Sequence, residues 1–202
     1  MHRPASLADA RGEGQNRAVG QSEPARSTLR PATVEDAPAI GRVHVESWRT
    51  TYPGLLPDSY LASMDAADHA ARWARLLGQR GSRHLALVAE EDGQLVGFAS
   101  AGPDRDGDRT YDGELYAIYL LERVQGRGVG RALVESAADG LVRRGMRGMR
   151  VWVLRDNRPA RGFYEHLGGQ YLRERTLEFD QVVVPEVSYG WPDARRLSSA
   201  RV

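Results

Sequence analysis

The sequence predicts an α/β (α+β) fold, in which about four helices flank a mixed, mostly antiparallel sheet of seven strands. Three observations support this class. Seven short runs rich in apolar and β-branched residues are interspersed with longer stretches that carry apolar residues at helical spacing. Asp92-Gly93 lies between two of the short runs, and such a pair typically closes an antiparallel hairpin. A glycine-rich turn at 125–130 separates another run from an amphipathic stretch, which indicates strand, turn and helix in succession.

Length and composition restrict the function classes. The 202 residues suit one domain with a sizeable core. Lysine and arginine together number 28 against 27 acidic residues, so we expect neither nucleic acid nor a membrane as a partner. Cysteine is absent, which excludes disulfides, cysteine metal sites and a cysteine acyl-enzyme, and favours a cytoplasmic location. No apolar run approaches membrane-spanning length, and the N-terminus lacks the apolar core of a signal peptide.

The first elements of the domain are a strand and a helix. The strand is predicted at 28–33, and the helix at 35–48 carries an apolar stripe that includes His44. We expect this histidine to be packed and hydrogen-bonded, because that role is commoner than catalysis for a histidine on an apolar stripe. Pro53-Gly54 breaks the helical pattern, and Asp58 could cap the next helix.

An acidic loop follows the central hairpin. A helix at 66–79 precedes the hairpin strands at 84–89 and 94–101. The loop at 102–113 then carries four aspartates, namely Asp104, Asp106, Asp108 and Asp112. It lacks the glycine and the glutamate that an EF-hand needs at fixed positions. We therefore predict a solvated loop with no metal, which could attract a cationic amine.

The second half of the domain begins with a strand at 114–121. Strict alternation would place four of its side chains on one face: Glu114, Tyr116, Ile118 and Leu120. The later elements are a helix at 128–144 ended by Gly145, a strand at 149–154, a helix at 157–167, and strands at 171–179 and 182–191 that turn at Asp180-Gln181. These elements define one domain at residues 28–191, between a flexible tail at 1–27 and a polar tail at 192–202.

The turn Gln125-Gly126-Arg127-Gly128-Val129-Gly130 is suited to binding phosphate. Its backbone N–H groups and the N-terminus of the following helix both favour an anion. Arg127 and Arg131 could add charge-assisted contacts to a polyphosphate. A Rossmann fingerprint does not fit the glycine spacing, and a P-loop would end in Gly-Lys-Ser/Thr where this chain has Gly-Arg-Ala. A nucleotide-phosphate binder therefore remains only a weak alternative.

Two motifs resemble one family in the expected order. Residues 125–130 match Gln/Arg-x-x-Gly-x-Gly/Ala, the pyrophosphate-binding turn of the GNAT acyl-CoA N-acyltransferases. Residues 157–168 resemble that family's Asn-x-x-Ala-x-x-Phe-Tyr-x-x-x-Gly helix, and residues 48–61 resemble the Trp-Arg-x-x-Tyr-x-Gly-Leu-Leu-Pro stretch of one bacterial set. The resemblance covers about residues 28–191. It implies the GNAT fold and an enzyme that moves an acetyl group from acetyl-CoA to a primary amine, by direct attack in a ternary complex.

The resemblance also implies residue roles. Glu114 corresponds to the general base and Tyr164 to the acid that protonates the CoA sulfur, although a solvated strand-end glutamate and a packed tyrosine are the plain alternatives. The backbone of Ile118, Tyr119 and Leu120 would run beside the pantetheine arm. The other residues expected at acetyl-CoA are Gln125, Gly126, Arg127, Gly128, Val129, Gly130, Arg131, Asn157 and Ala160. Those expected at the acceptor are Trp48, Tyr52 and Tyr116, with aromatic packing an equal alternative for the first two.

Two further questions stay open at this stage. A CoA- or acyl-CoA-binding module without turnover is the alternative to an enzyme, since the glycine-rich turn serves both. The acceptor is expected to be a small-molecule or peptide amine, and its identity stays open, since polyamines, antibiotics, amino acids and protein amines all suit the reaction. The resemblance to the family also predicts a homodimer. One departure from its pattern is Gly168-Gly169, where Gly-Phe is frequent, and we expect this to affect core packing and leave the chemistry intact.

Overall fold

The computed structural model describes residues 27–79, 81–179 and 182–198. The predicted tail at 1–27 therefore lies, except for its last residue, outside the described part, as does the predicted turn at Asp180-Gln181. The strands are β1 Thr28–Pro31, β2 Leu85–Glu91, β3 Gln94–Pro103, β4 Gly113–Leu120, β5 Met149–Leu154, β6 Gln170–Phe179 and β7 Val182–Trp191. The helices are α1 Ala37–Thr51, α2 Asp58–Ser63, α3 Ala66–Leu77, α4 Val129–Arg143, α5 Arg158–His166 and α6 Arg195–Ser198.

The strands form one seven-stranded sheet in the order β1-β2-β3-β4-β5-β7-β6. Among these strand pairs only β4 and β5 are parallel, because α4 carries the chain back across the sheet between them. The predicted mixed, mostly antiparallel sheet is thus confirmed. Asp92 and Gly93 both have positive φ, 51° and 72°, as the tight turn between β2 and β3 requires.

Helices cover both faces of the sheet. Phe98 of β3 packs edge-on against Trp73 of α3, with ring centroids 5.0 Å apart. Leu85 of β2, which points to the other face, lies against Gly140 of α4. Each face therefore buries its apolar side chains under a helical layer, which is the usual route to a core in such folds.

A β-bulge interrupts β4. Leu115 pairs with Ala101 of β3 and Ala117 pairs with Ser100, so Tyr116 is an extra residue between two consecutive partners. An extra residue reverses the alternation of side chains beyond it. The bulge lies between the candidate base and the segment expected beside the pantetheine arm.

The bulge overturns the prediction that four side chains of this strand share one face, namely Glu114, Tyr116, Ile118 and Leu120. The ring of Tyr116 stacks on His84, which is itself in contact with Trp73 on the α3 side. Leu120 instead approaches Gly130 of α4, on the opposite side. The prediction assumed an unbroken period of two, and the sequence carries no mark of the inserted residue.

Two other predictions, about where α2 begins and about the segment after the last strand, differ from the structure. Asp58 is the first residue of α2 and not its cap, since the preceding position is Pro57. The segment after Pro192, expected to be a polar tail, forms α6 as far as residue 198 and packs on α4. Leu197 of this helix and Ala194 just before it are both buried.

Candidate active site

The site begins where two parallel strands separate. β4 and β5 pair only over 113–115 and 149–151, and beyond these residues the strands diverge. The gap opens into a cavity of about 580 Å³ that reaches from the glycine-rich turn to the β6–β7 pair. The predicted site residues that line it are Trp48, Tyr52, Glu114, Tyr116, Ile118, Tyr119, Leu120, Gln125, Gly126, Gly128, Gly130, Arg131, Asn157, Ala160 and Tyr164. These predicted residues come from four separate segments of the chain, at 48–52, 114–120, 125–131 and 157–164, and they meet in one cleft.

The glycine-rich turn forms one end of the cavity. Gly126 and Gly128 have φ of 71° and 83°, a left-handed conformation that strains any other residue. A Cβ added to either would meet no atom within 4 Å, so the space above the turn is open. Ala132 donates its N–H to the carbonyl of Gly128, and the N–H groups before it have no partner within the helix. The turn therefore presents main-chain donors to a ligand.

The two arginines of the turn are placed differently. Arg131 lines the cavity and lies 3.8 Å from Glu135 one turn along α4. Arg127 points to the end of β2, where its guanidinium is 2.8 Å from Glu91, and it does not line the cavity. Val129 is buried in the core, so its side chain does not reach the cavity either. Of the two, only Arg131 is placed to meet an anion in the cleft.

Tyr164 reaches the cavity from α5. Its side chain is 5 % exposed and packs against Phe163 and Trp191. Burial raises the pKa of the Tyr164 hydroxyl, which therefore remains protonated at neutral pH. Gly169 follows this helix, and a Cβ there would lie 2.8 Å from the Trp191 ring and 2.9 Å from the Tyr164 carbonyl oxygen. The glycine that departs from the family pattern is thus required by packing.

Two further hydroxyls lie close to Tyr164. The hydroxyl oxygens of Tyr52 and Tyr119 are 3.2 Å apart, and burial raises the pKa of both groups. The proximity of Tyr52 also raises the pKa of Tyr164. Asn157 caps α5 by accepting the N–H of Ala160 at 3.2 Å, and it also lines the cavity.

The candidate base is paired in this structure. Glu114 is 1 % exposed, and both Nε and Nη2 of Arg105 donate to its Oε1, the first at 3.1 Å. The backbone N–H of Arg105 donates to Oε2 at 3.1 Å. These charge-assisted bonds raise the pKa of the Arg105 guanidinium. The carboxylate is therefore neither a solvated strand end nor a free base.

The acidic loop is exposed at 105–107 and 109–110, as predicted, but its aspartates are bonded to other groups. Asp104 binds the guanidinium of Arg150, which also lies 2.9 Å from Asp106. Asp106 is shared with Arg173, at 3.0 Å. The other two aspartates, Asp108 and Asp112, accept backbone N–H groups at 2.8 to 3.0 Å. The carboxylates thus hold the loop in place, and their bonds to arginines and backbone N–H groups weaken the expectation that the loop attracts a cationic amine.

Arg150 holds this network together and is 1 % exposed. Replacing it with methionine is expected to destabilise the protein by about 3–5 kcal/mol, because Asp104 would remain buried without a countercharge. Urea unfolding of Arg150→Met measures this loss. The double variant Arg150→Met/Asp104→Leu should recover part of the stability, and a loss below about 1 kcal/mol in the single variant would contradict the role assigned to the pair.

The far end of the cavity has residues that sequence reasoning missed. Arg175 stacks on the ring of Trp152, with its guanidinium carbon 3.8 Å from the ring centroid, and pairs with Glu186 at 3.1 Å. Apolar side chains complete this end, from Leu56, Leu154, Leu177 and Val184. Arg175 and Glu186 are cross-strand partners, a signal that appears only once the register of β6 and β7 is known.

Among residues 27–79, 81–179 and 182–198, no helix is both long enough and apolar enough to cross a membrane. In the same part of the chain, no three side chains of the metal-binding types are grouped to hold an ion.

Comparison with known proteins agrees with the fold. The model of the acetyltransferase (GNAT) family matches residues 44–169. The uncharacterized N-acetyltransferase YuaI of Bacillus subtilis (strain 168) is 40 % identical over 172 residues, which cover 85 % of this chain and 96 % of that protein. Two solved structures share the fold. The paia N-acetyltransferase of Thermoplasma acidophilum, in complex with coenzyme A, has a TM-score of 0.62 and 22 % identity over 82 % of this chain and 99 % of its own. The structure of yncA of Salmonella typhimurium, with its cofactor acetyl-CoA, has a TM-score of 0.58 and 21 % sequence identity. The match covers 82 % of this chain and 92 % of that chain. The chain therefore belongs to the GNAT family of acetyltransferases.

Proposed function

We propose that this protein is an acetyl-CoA-dependent N-acetyltransferase, which moves the acetyl group to a primary amine by direct attack in a ternary complex. The observation that carries the proposal is the continuous cleft between β4 and β5, which the glycine-rich turn, Glu114 and Tyr164 all line. Coenzyme A and acetyl-CoA accompany two proteins of the same fold.

The residues of the cleft fit coenzyme A. The open space above Gly126 and Gly128 and the main-chain donors at the start of α4 suit a pyrophosphate, with Arg131 beside them. The divergence of β4 from β5 leaves the β5-facing edge of 118–120 without a strand partner, and an extended amide chain such as pantetheine could pair there. Asn157 and Ala160 would lie along the same path.

Two side chains would then carry out the proton transfers of the reaction. When bound, acetyl-CoA supplies a thioester whose acetyl carbon bonds to the amine nitrogen as its bond to sulfur breaks. Glu114 would take one proton from the acceptor ammonium, since only the neutral amine has a lone pair for attack. The Tyr164 hydroxyl would donate a proton to the departing sulfur and regain one from the amine nitrogen. An amide, CoA thiol and one released proton balance the reaction.

The part of the cavity lined by Arg105, Glu114, Arg175 and Glu186, here called the acceptor end, suits a small-molecule or peptide amine. Its charged side chains are paired, Arg105 with Glu114 and Arg175 with Glu186, so the walls impose no single sign of charge. The apolar side chains between them would contact the carbon chain of an acceptor.

Titration calorimetry with acetyl-CoA, followed by thiol release with a panel of primary amines, tests the proposal. We expect heat on binding and amine-dependent release of CoA thiol from at least one member of the panel. Binding without any turnover would favour the non-catalytic CoA-binding alternative. Absence of binding would reject the function altogether.

A further inference from the structure

Arg105 holds the same carboxylate that the reaction requires. Its guanidinium makes two bonds to Oε1 of Glu114, and its backbone N–H makes one to Oε2. Glu114 is 1 % exposed, whereas the side chain of Arg105 is 58 % exposed and lines the cavity. The carboxylate is thus buried, and the cation that neutralises it lies at the solvent side.

The backbone around Arg105 is anchored independently of that cation. The N–H of Asp104 donates to the carbonyl of Asp112 at 2.9 Å, and its carboxylate accepts the N–H groups of Asp106 and Asp108 at 3.0 and 2.8 Å. The same carboxylate binds the buried Arg150. Rotation of the Arg105 side chain would therefore vacate Oε1 without moving the loop or the backbone bond to Oε2.

The guanidinium itself makes few contacts. Besides Glu114, it lies over the ring of Tyr116, with its carbon 5.0 Å from the centroid. Arg175, the other cation of the acceptor end, is bonded to both Glu186 and Asp106 and stacked on Trp152. Arg105 is the more easily displaced of the two, because fewer groups hold it.

We infer that the Arg105 guanidinium occupies the position of the acceptor ammonium, and that an acceptor enters by exchanging its own cation for this one on Oε1 of Glu114. A buried carboxylate that loses its cation without replacement is strongly disfavoured. A compact ammonium preserves the charge and can use the same face of Tyr116. A neutral or anionic acceptor cannot make this exchange, so the site selects acceptors that arrive protonated. This inference rests on the proposed function.

Binding of methylguanidinium tests the exchange without acetyl-CoA or turnover. In Arg105→Ala the position should be vacant and should bind methylguanidinium at least about tenfold more tightly than the intact protein does, measured by calorimetry or by the rise in Tm. Arg109→Ala is the matched control, because Arg109 is an exposed arginine of the same loop that does not line the cavity. Adding Glu114→Gln to Arg105→Ala should abolish the binding. Arg105→Gln provides a second vacant form if the alanine variant folds poorly.

Kinetics supply a second readout with an amine that the panel shows to be a substrate. Arg105→Ala should lower the KM for that amine by about tenfold while the affinity for acetyl-CoA stays unchanged. Arg105→Lys, which restores a cation, should raise the KM again. Equal methylguanidinium binding by the intact protein, Arg105→Ala and Arg109→Ala would overturn the inference. Selective binding without acetylation of any amine would reject only the proposed function, and acetylation with an unchanged KM would reject only the exchange.

Discussion

Replacing Gly128 with glutamate is expected to weaken acetyl-CoA binding by at least about 100-fold, or about 2.7 kcal/mol. Gly128 has a φ of 83°, which strains a residue with a Cβ, and it immediately precedes α4. The new side chain would enter the open space above the turn and place a negative charge where the pyrophosphate should lie. Titration calorimetry with acetyl-CoA measures the loss.

Gly145 offers a matched control for this substitution. It has the same φ of 83°, and a Cβ there also meets no atom within 4 Å. It lies just beyond the other end of α4 and does not line the cavity. Gly145→Glu should therefore lose stability for similar backbone reasons while it retains acetyl-CoA binding. Equal affinities in the two variants would show that the turn does not hold the diphosphate.

Removing the hydroxyl of Tyr164 is expected to lower kcat by about 10²-fold or more, which is the lower range for loss of a general acid. Burial raises the pKa of this hydroxyl, so it can donate across the neutral range and is not expected to titrate below pH 10. Phenylalanine keeps the ring that packs against Phe163 and Trp191. Tyr164→Phe should thus fold normally and bind acetyl-CoA as before. Steady-state kcat and calorimetric affinity, measured on the same preparation, separate the two effects.

Tyr171→Phe removes the same atom from a tyrosine that is 56 % exposed on β6 and lies outside the cavity. Its kcat should match that of the unaltered protein. If Tyr164→Phe also keeps its full kcat, another group must protonate the leaving sulfur. The hydroxyls of Tyr52 and Tyr119 would then be the next to substitute, since both line the same cleft.

Much of the fold and part of the site follow from local patterns. The turn between β2 and β3 depends on two adjacent residues, Asp92 and Gly93, and the structure confirms it. The helix cap at Asn157 depends on residues three positions apart. The order of strand, glycine-rich turn and helix places Gly128 at the start of α4 in the same way. Such features depend on residues that are close together in the chain, so the sequence alone predicts them.

Only the tertiary structure decided how the charged side chains are paired. Arg150 and Asp104 are 46 positions apart, and nothing in the period of β5 shows that its arginine is buried against an aspartate of a distant loop. The bulge at Tyr116 likewise depends on the register of β3 and β4. The sequence by itself thus determined the family, the order of the elements and the glycine-rich turn. The state of Glu114, buried and neutralised by Arg105, was decided by three-dimensional packing, because a buried carboxylate must find its cation wherever the fold brings one near.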